Sequence, residues 1–83
     1  MQIRLRYFAS LRERLGLEME DLMIVGGATV GSVRASLLER GGEWAALADV
    51  RRIRAAHNQQ MCGEEVVLDD GDELAFLPPV TGG

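Results

Sequence analysis

Along the first eight residues, apolar side chains recur at every second position. In QIRLRYF, Ile3, Leu5 and Tyr7 fall on one side and Gln2, Arg4, Arg6 and Phe8 on the other, which predicts a strand with one buried face. The next run, SLRERLG, sets Ser10 and Glu13 at capping-box spacing and Gly16 where the chain would stop, so a short helix is expected. LEMEDLMIV reads as a second strand of less regular alternation, closed by Gly26-Gly27. The period then changes. After Thr29, a good N-cap residue, Val30, Val33, Leu37 and Leu38 of VGSVRASLLER share one helical face, and Gly41-Gly42 is read as the stop. Gly31 inside this helix costs about 1 kcal/mol relative to alanine, so tertiary packing has to hold that turn. EWAALADV predicts a short helical connector, IRAAHN a strand, QMCG a brief pairing, and VVLDDGD a run into a turn through Asp70-Gly71. In ELAFL, the last strand, Leu74 and Phe76 face one way and Ala75 and Leu77 the other. Pro78 and Pro79 end it, because neither can donate to a sheet ladder.

Leaving the short first helix aside, the order is strand, strand, helix, then two or three strands, with no repeat and no linker. Strands gathered around one main helix predict an α+β domain with a mixed sheet packed on that helix, and a β-grasp arrangement fits the order. The 83 residues are expected to form one domain, 1–83, ending in a flexible tail over 78–83. A chain of this size can bury enough surface for an independent core.

Charge sharpens this picture. All nine basic residues are arginines, and all lie between Arg4 and Arg54. From Ala55 onward the only charges are Glu64, Glu65, Asp69, Asp70, Asp72 and Glu73, so the first 54 residues carry +2 and the remainder −6. An acidic C-terminal half argues against nucleic acid, whose phosphates need cations, and suits docking onto a basic protein surface. The simpler reading of the same acids is turn residues and solvated faces. No apolar run approaches the roughly 18 residues of a membrane span and no signal-peptide core is present, so no membrane partner and a cytoplasmic location are expected. The single cysteine, Cys62, excludes an internal disulfide and any multi-cysteine metal site.

No catalytic constellation emerges from the body of the chain. His57, the only histidine, sits in an expected strand and has no obvious partner, which favours a structural residue over a base. Cys62 is read as a small buried thiol rather than a nucleophile. Asp69-Asp70-Gly71-Asp72 lacks the spacing of a calcium loop, and the two Gly-Gly pairs read as turns, not phosphate loops.

The C-terminal segment, PPVTGG, is left. Pro78 and Pro79 fix the direction in which the chain leaves the last strand. The residues Val80, Thr81, Gly82 and Gly83 reach at most about 14 Å when extended, and the two glycines let the final backbone pass through a slot too narrow for side chains. Such a tail can carry a reactive group on its main-chain carboxylate into another protein's active site. A carboxylate is itself a poor electrophile and a weak nucleophile. Adenylation makes it a mixed anhydride, and attack by a sulfur donor leaves a thiocarboxylate, ionised and nucleophilic at neutral pH.

With YFASLRE near the start, TVGSVRASL at the helix, AHNQ in the middle strand and LDDGDELAFLPPVTGG at the end, the chain resembles the sulfur carriers of the molybdopterin synthase small-subunit type, in the ubiquitin-like β-grasp family. The resemblance runs the whole length, and its terminal block is the most specific part. It implies that Gly83 is adenylated by a ubiquitin-activating-enzyme-like adenylyltransferase, which consumes ATP, and is then thiocarboxylated by a sulfur donor protein. The tail would enter the large subunit of molybdopterin synthase and give sulfur to cyclic pyranopterin monophosphate, two transfers making the dithiolene that holds molybdenum. On this reading the chain is a cosubstrate and subunit rather than a free-standing enzyme, and binds no permanent cofactor. The resemblance also implies a hydrophobic docking patch that includes Phe8, Met61 and Leu77, where Leu77 stands at a position often aromatic in relatives. The alternatives are a carrier for thiamine-thiazole synthesis, which usually lacks the Pro-Pro, a ubiquitin-like protein modifier, and a binding module with an inert tail. The chain has no lysine, so a modifier of this sequence could not build chains on itself.

Overall fold

The computed structural model describes residues 1–79, and there the alternation of the first strand is realised directly. Strand β1 (Gln2–Tyr7) buries Ile3, Leu5 and Tyr7. It pairs antiparallel with β2 (Met19–Met23) on one side and parallel with β5 (Glu73–Leu77) on the other. β5 also pairs antiparallel with β3 (Arg54–His57), which forms a hairpin with β4 (Gln60–Cys62). The sheet order is therefore β2-β1-β5-β3-β4. The parallel β1–β5 pair requires a long crossover, which here carries helix α2 (Val30–Leu38).

Helix α2 starts at Thr29, whose Oγ1 accepts a hydrogen bond from the Ser32 N–H while Ser32 Oγ accepts one from the Thr29 N–H. Val30, Val33 and Leu37 face the core, and Leu38 is half-buried. Gly31 has its physical reason here. Its N–H donates to the Glu64 carbonyl at 2.9 Å, and a Cβ would lie 3.3 Å from that same oxygen. The core joins Ile3, Leu5, Leu11, Leu37, Leu74 and Phe76 beneath the helix. Tyr7 lies between an edge-on Trp44 at 5.5 Å and a stacked Phe76 at 6.4 Å.

Several sequence expectations are corrected. The first helix, α1 (Ala9–Leu15), begins one residue before Ser10, so Ser10 and Glu13 form no capping box; Phe8 is the N-cap and uses no side chain. The chain enters this helix through Ala9 at φ 51, and the Leu11 and Arg12 N–H groups donate to the Phe8 carbonyl at 3.1 and 3.2 Å. Helix α2 ends at Leu38 with Glu39 as its C-cap, ahead of Gly41-Gly42. The glycines instead enter a 3-10 segment over Gly42–Ala48, with Gly41 at φ 72. Ala75 is assigned to the outward face of β5, yet it is buried like its neighbours, at the centre of the sheet between Arg6 and Ala56. VVLDDGD runs into the expected turn at Asp70-Gly71, and on the way Val67 makes an isolated bridge to Thr29.

Candidate functional site

The C-terminal strand lies in the middle of the sheet, so its two ends define two rims of the molecule. At its start, the acidic turn is consumed by local hydrogen bonding. Asp70 Oδ1 accepts from the Gln2 N–H at 2.8 Å. Asp72 accepts from the Asp69 N–H at 2.8 Å and from Asn58 Nδ2 at 3.1 Å, and its Oδ2 lies 2.7 Å from His57 Nε2. Asn58 Oδ1 in turn accepts from the Glu73 N–H at 2.9 Å. This network ties the β3–β4 turn, where Asn58 and Gln59 have φ of 48 and 71, to the entry of β5. His57 is a structural partner of Asp72, and these acids are turn residues, as the simpler reading of the charge held. No cluster of metal-ligating residues occurs among the described residues.

The network makes acid stability measurable. The Asp69 N–H, then His57 and Asn58, hold the Asp72 carboxyl below the ordinary carboxylate range. A group depressed in the folded state stabilises it above its unfolded pKa, about 3.9, and that contribution disappears as pH falls through the folded value. Asp72→Asn is therefore expected to melt below the parent at pH 6 to 7, by about 1 kcal/mol, with the gap closing below about pH 4. Thermal unfolding across that range checks it.

At the other end of β5, the chain leaves the sheet through Leu77, half-buried Pro78 and exposed Pro79. Four expected tail residues, Val80, Thr81, Gly82 and Gly83, lie outside the described residues. Of the expected docking residues, Met61 is 53% exposed, while Phe8 and Leu77 are half-buried. Register places them on one face, the one turned away from α2. Arg6 pairs with Ala75, Ala75 with Ala56, and Ala56 with Met61, so these four form one row. In the next row Leu77 lies opposite Arg54, and Phe8 follows Tyr7, the partner of Phe76, in extended backbone. Met61 and Leu77 also line one groove with Pro78 and Pro79. Phe8 sits on its far side, beneath the Arg6 guanidinium at 5.0 Å. The structure thus groups the three on the face from which the tail departs.

Sequence reasoning missed the arginines of that rim. Arg51, Arg52 and Arg54 line the same groove as Met61 and Leu77, and Arg14 and Arg52 border a neighbouring recess against Pro78 and Pro79. The signal was present in RRIR, four residues with three arginines, but only the sheet register places it at the tail. Cys62 lies on the inner face opposite Ala55. It is half-buried, and desolvation, helped by Glu64 and Glu65, raises its thiol pKa. Such a thiol stays protonated, consistent with a packing role. No helix among the described residues is long and apolar enough to cross a membrane.

A mixed five-stranded sheet holding one main helix, with a central C-terminal strand that delivers the chain end at one rim, defines a ubiquitin-like β-grasp domain. The family model described as the ThiS family matches residues 5–83, and the chain belongs to that family. It is 38% identical to the molybdopterin synthase sulfur carrier subunit of Haemophilus influenzae, over 93% of this chain and 94% of that protein. It is 36% identical to small archaeal modifier protein 3 of Haloferax volcanii, over the full length of both. The crystal structure of SAMP1 from Haloferax volcanii superposes over 100% of both chains with a TM-score of 0.79 at 26% identity.

Proposed function

We propose that this protein is a sulfur carrier whose working group is the C-terminal carboxylate of Gly83, and that it serves as the small subunit of a molybdopterin synthase. The observation that carries the reading is the terminal sequence Pro78-Pro79-Val80-Thr81-Gly82-Gly83 on a chain of the ThiS family. The similarity to the Haemophilus influenzae sulfur carrier subunit favours the molybdopterin branch over thiazole synthesis.

The chemistry follows from the group. A partner adenylyltransferase attaches AMP from ATP to the Gly83 carboxylate and releases pyrophosphate. A sulfur donor protein then supplies a sulfide equivalent, which displaces AMP and leaves a thiocarboxylate. That sulfur attacks a side-chain carbon of cyclic pyranopterin monophosphate in the pocket of the large subunit. A carbon–sulfur bond forms as a carbon–oxygen bond of the substrate breaks, its oxygen leaving on phosphate or as water, and carrier and substrate are joined as a thioester. Water cleaves the acyl side and regenerates the carboxylate, so a second charged copy supplies the second sulfur of the dithiolene. Pro78 and Pro79 aim the tail and Val80 to Gly83 insert, while Phe8, Met61 and Leu77 seat the domain. ATP belongs to the activating partner, the chain holds no resident cofactor, and the sequence of reactions belongs in the cytoplasm.

The test is reconstitution. Thiocarboxylated protein, mixed with the large subunit and cyclic pyranopterin monophosphate, is expected to form molybdopterin with two carriers discharged per product. Discharge onto a thiazole precursor instead would move the chain to the thiamine branch. A second reading rests on the similarity to small archaeal modifier protein 3: conjugation of Gly83 to lysines of other proteins. Accumulation of lysine-linked adducts, with no sulfur transfer, would select it.

A further inference from the structure

We propose that the arginines around the base of the tail form a docking collar for carboxylates at the rim of the slot that receives the tail in the activating enzyme. The inference rests on the sulfur-carrier reading and adds the chemistry of the partner's surface. Arg51, Arg52 and Arg54 are exposed and line the groove whose apolar wall is Met61 and Leu77. Among the described residues neither these three nor Arg12 pairs with a carboxylate, whereas Arg4, Arg6, Arg14, Arg34 and Arg40 all do, and of the four only Arg51, Arg52 and Arg54 line the groove at the tail base. The nearest acid in sequence, Asp49, is occupied, its Oδ1 accepting from the Arg51 and Arg52 backbone N–H groups at 3.1 and 3.2 Å.

Arg6 adds an independent sign on the same face. Its Nε is buried with no hydrogen-bond partner, and Glu73 reaches only its Nη1, at 3.8 Å. A buried guanidinium donor left unpaired is costly, and with Glu73 on only one side the partly exposed Nη groups of Arg6 keep capacity for a carboxylate arriving on this face. Three cations without a carboxylate partner among the described residues, beside an apolar groove on a chain of net charge −4, make a local field opposite in sign to the rest of the molecule. The complementary surface is acidic. Charge of this kind orients the carrier on its partner before the tail inserts and acts mainly on the association rate.

The experiment measures association of the intact chain with the adenylyltransferase by stopped flow across ionic strength, alongside charging of Gly83. The Arg51→Ser/Arg52→Ser/Arg54→Ser variant is expected to associate about 10- to 100-fold more slowly at low salt, with a flatter salt dependence. Its melting temperature should match the parent, because the three side chains are exposed. Arg12→Ser, which removes an exposed arginine that lines no groove near the tail, should change the rate by less than about twofold. If the parent is charged and the triple variant associates at the parental rate, the collar is refuted while the sulfur-carrier reading stands. An equal loss in Arg12→Ser assigns the effect to bulk charge and also refutes it. A parent that is neither bound nor charged overturns the sulfur-carrier reading and the collar together.

Discussion

Arg34→Ala is expected to destabilise the domain by about 3 kcal/mol, because it removes a buried guanidinium that satisfies two buried carbonyls as well as the part-exposed Glu64 carboxylate. Arg34 is 3% exposed, and its guanidinium serves three parts of the chain at once. Nε and Nη2 donate to the Glu64 carboxylate at 2.7 and 3.0 Å, Nη1 to the Leu47 carbonyl at 2.8 Å, and Nη2 to the Ile53 carbonyl at 2.8 Å. Its carbon lies 5.1 Å from the Phe76 ring centre. Alanine leaves two buried carbonyls unpaired and opens a cavity against the core. A domain of this size has a total stability of only about 5–15 kcal/mol, so a large part of the population would unfold near physiological temperature. Arg34→Lys is expected to recover less than half of the loss, since a point-like ammonium cannot reach the three acceptors together. Urea unfolding checks both variants; a loss below about 1 kcal/mol would mean that water replaces the guanidinium at those carbonyls.

Deleting Gly83 is expected to abolish sulfur transfer while leaving the fold unchanged. The carboxylate would then sit on Gly82, about 3.5 Å short of its place. Misplacement of a reacting group by only about 1 Å can cost on the order of 100-fold, so single-turnover transfer should fall below detection. Among the described residues the core cluster reaches no further along β5 than Phe76, so removing one terminal glycine should keep the unfolding free energy within about 0.5 kcal/mol of the parent. Gly83→Ala keeps the length but adds a Cβ in the slot, and an intermediate loss is expected. Near-normal transfer by the shortened chain would show that the terminal position does not carry the chemistry.

Where the sequence spoke through a single element, it was readable. The period of two in β1, the Thr29 cap and the proline stop after β5 depend on neighbours within a few residues, and the structure has each of them. What failed depends on distant parts of the chain. Arg34 reads as a polar position on a helix, and its burial appears only when the Leu47 and Ile53 carbonyls and Glu64 are brought around it. Ser10 satisfies the capping spacing, but the helix starts a residue earlier, at Ala9. The bidentate contact of Arg40 with Glu20, at 2.9 and 2.8 Å, joins the end of α2 to β2 across a separation no local pattern reports. Glu20 is held below its usual pKa chiefly by Arg40, and burial raises that of the Tyr7 hydroxyl beside it. At the site, the grouping of Phe8, Met61 and Leu77 came from family resemblance, and the sheet register supplies its geometry. The arginine collar is legible only once β3 and the tail base are seen side by side.

Whether Gly83 carries the sulfur is read straight from intact-mass spectrometry of the full chain. The protein would be incubated with the adenylyltransferase, ATP and a sulfur source under conditions that charge a known carrier. The predicted result is a mass increase corresponding to one oxygen replaced by sulfur, mapped to Gly83 by C-terminal fragmentation and dependent on ATP. An unmodified carboxylate under those conditions, or a modification that maps to Cys62, would contradict the account.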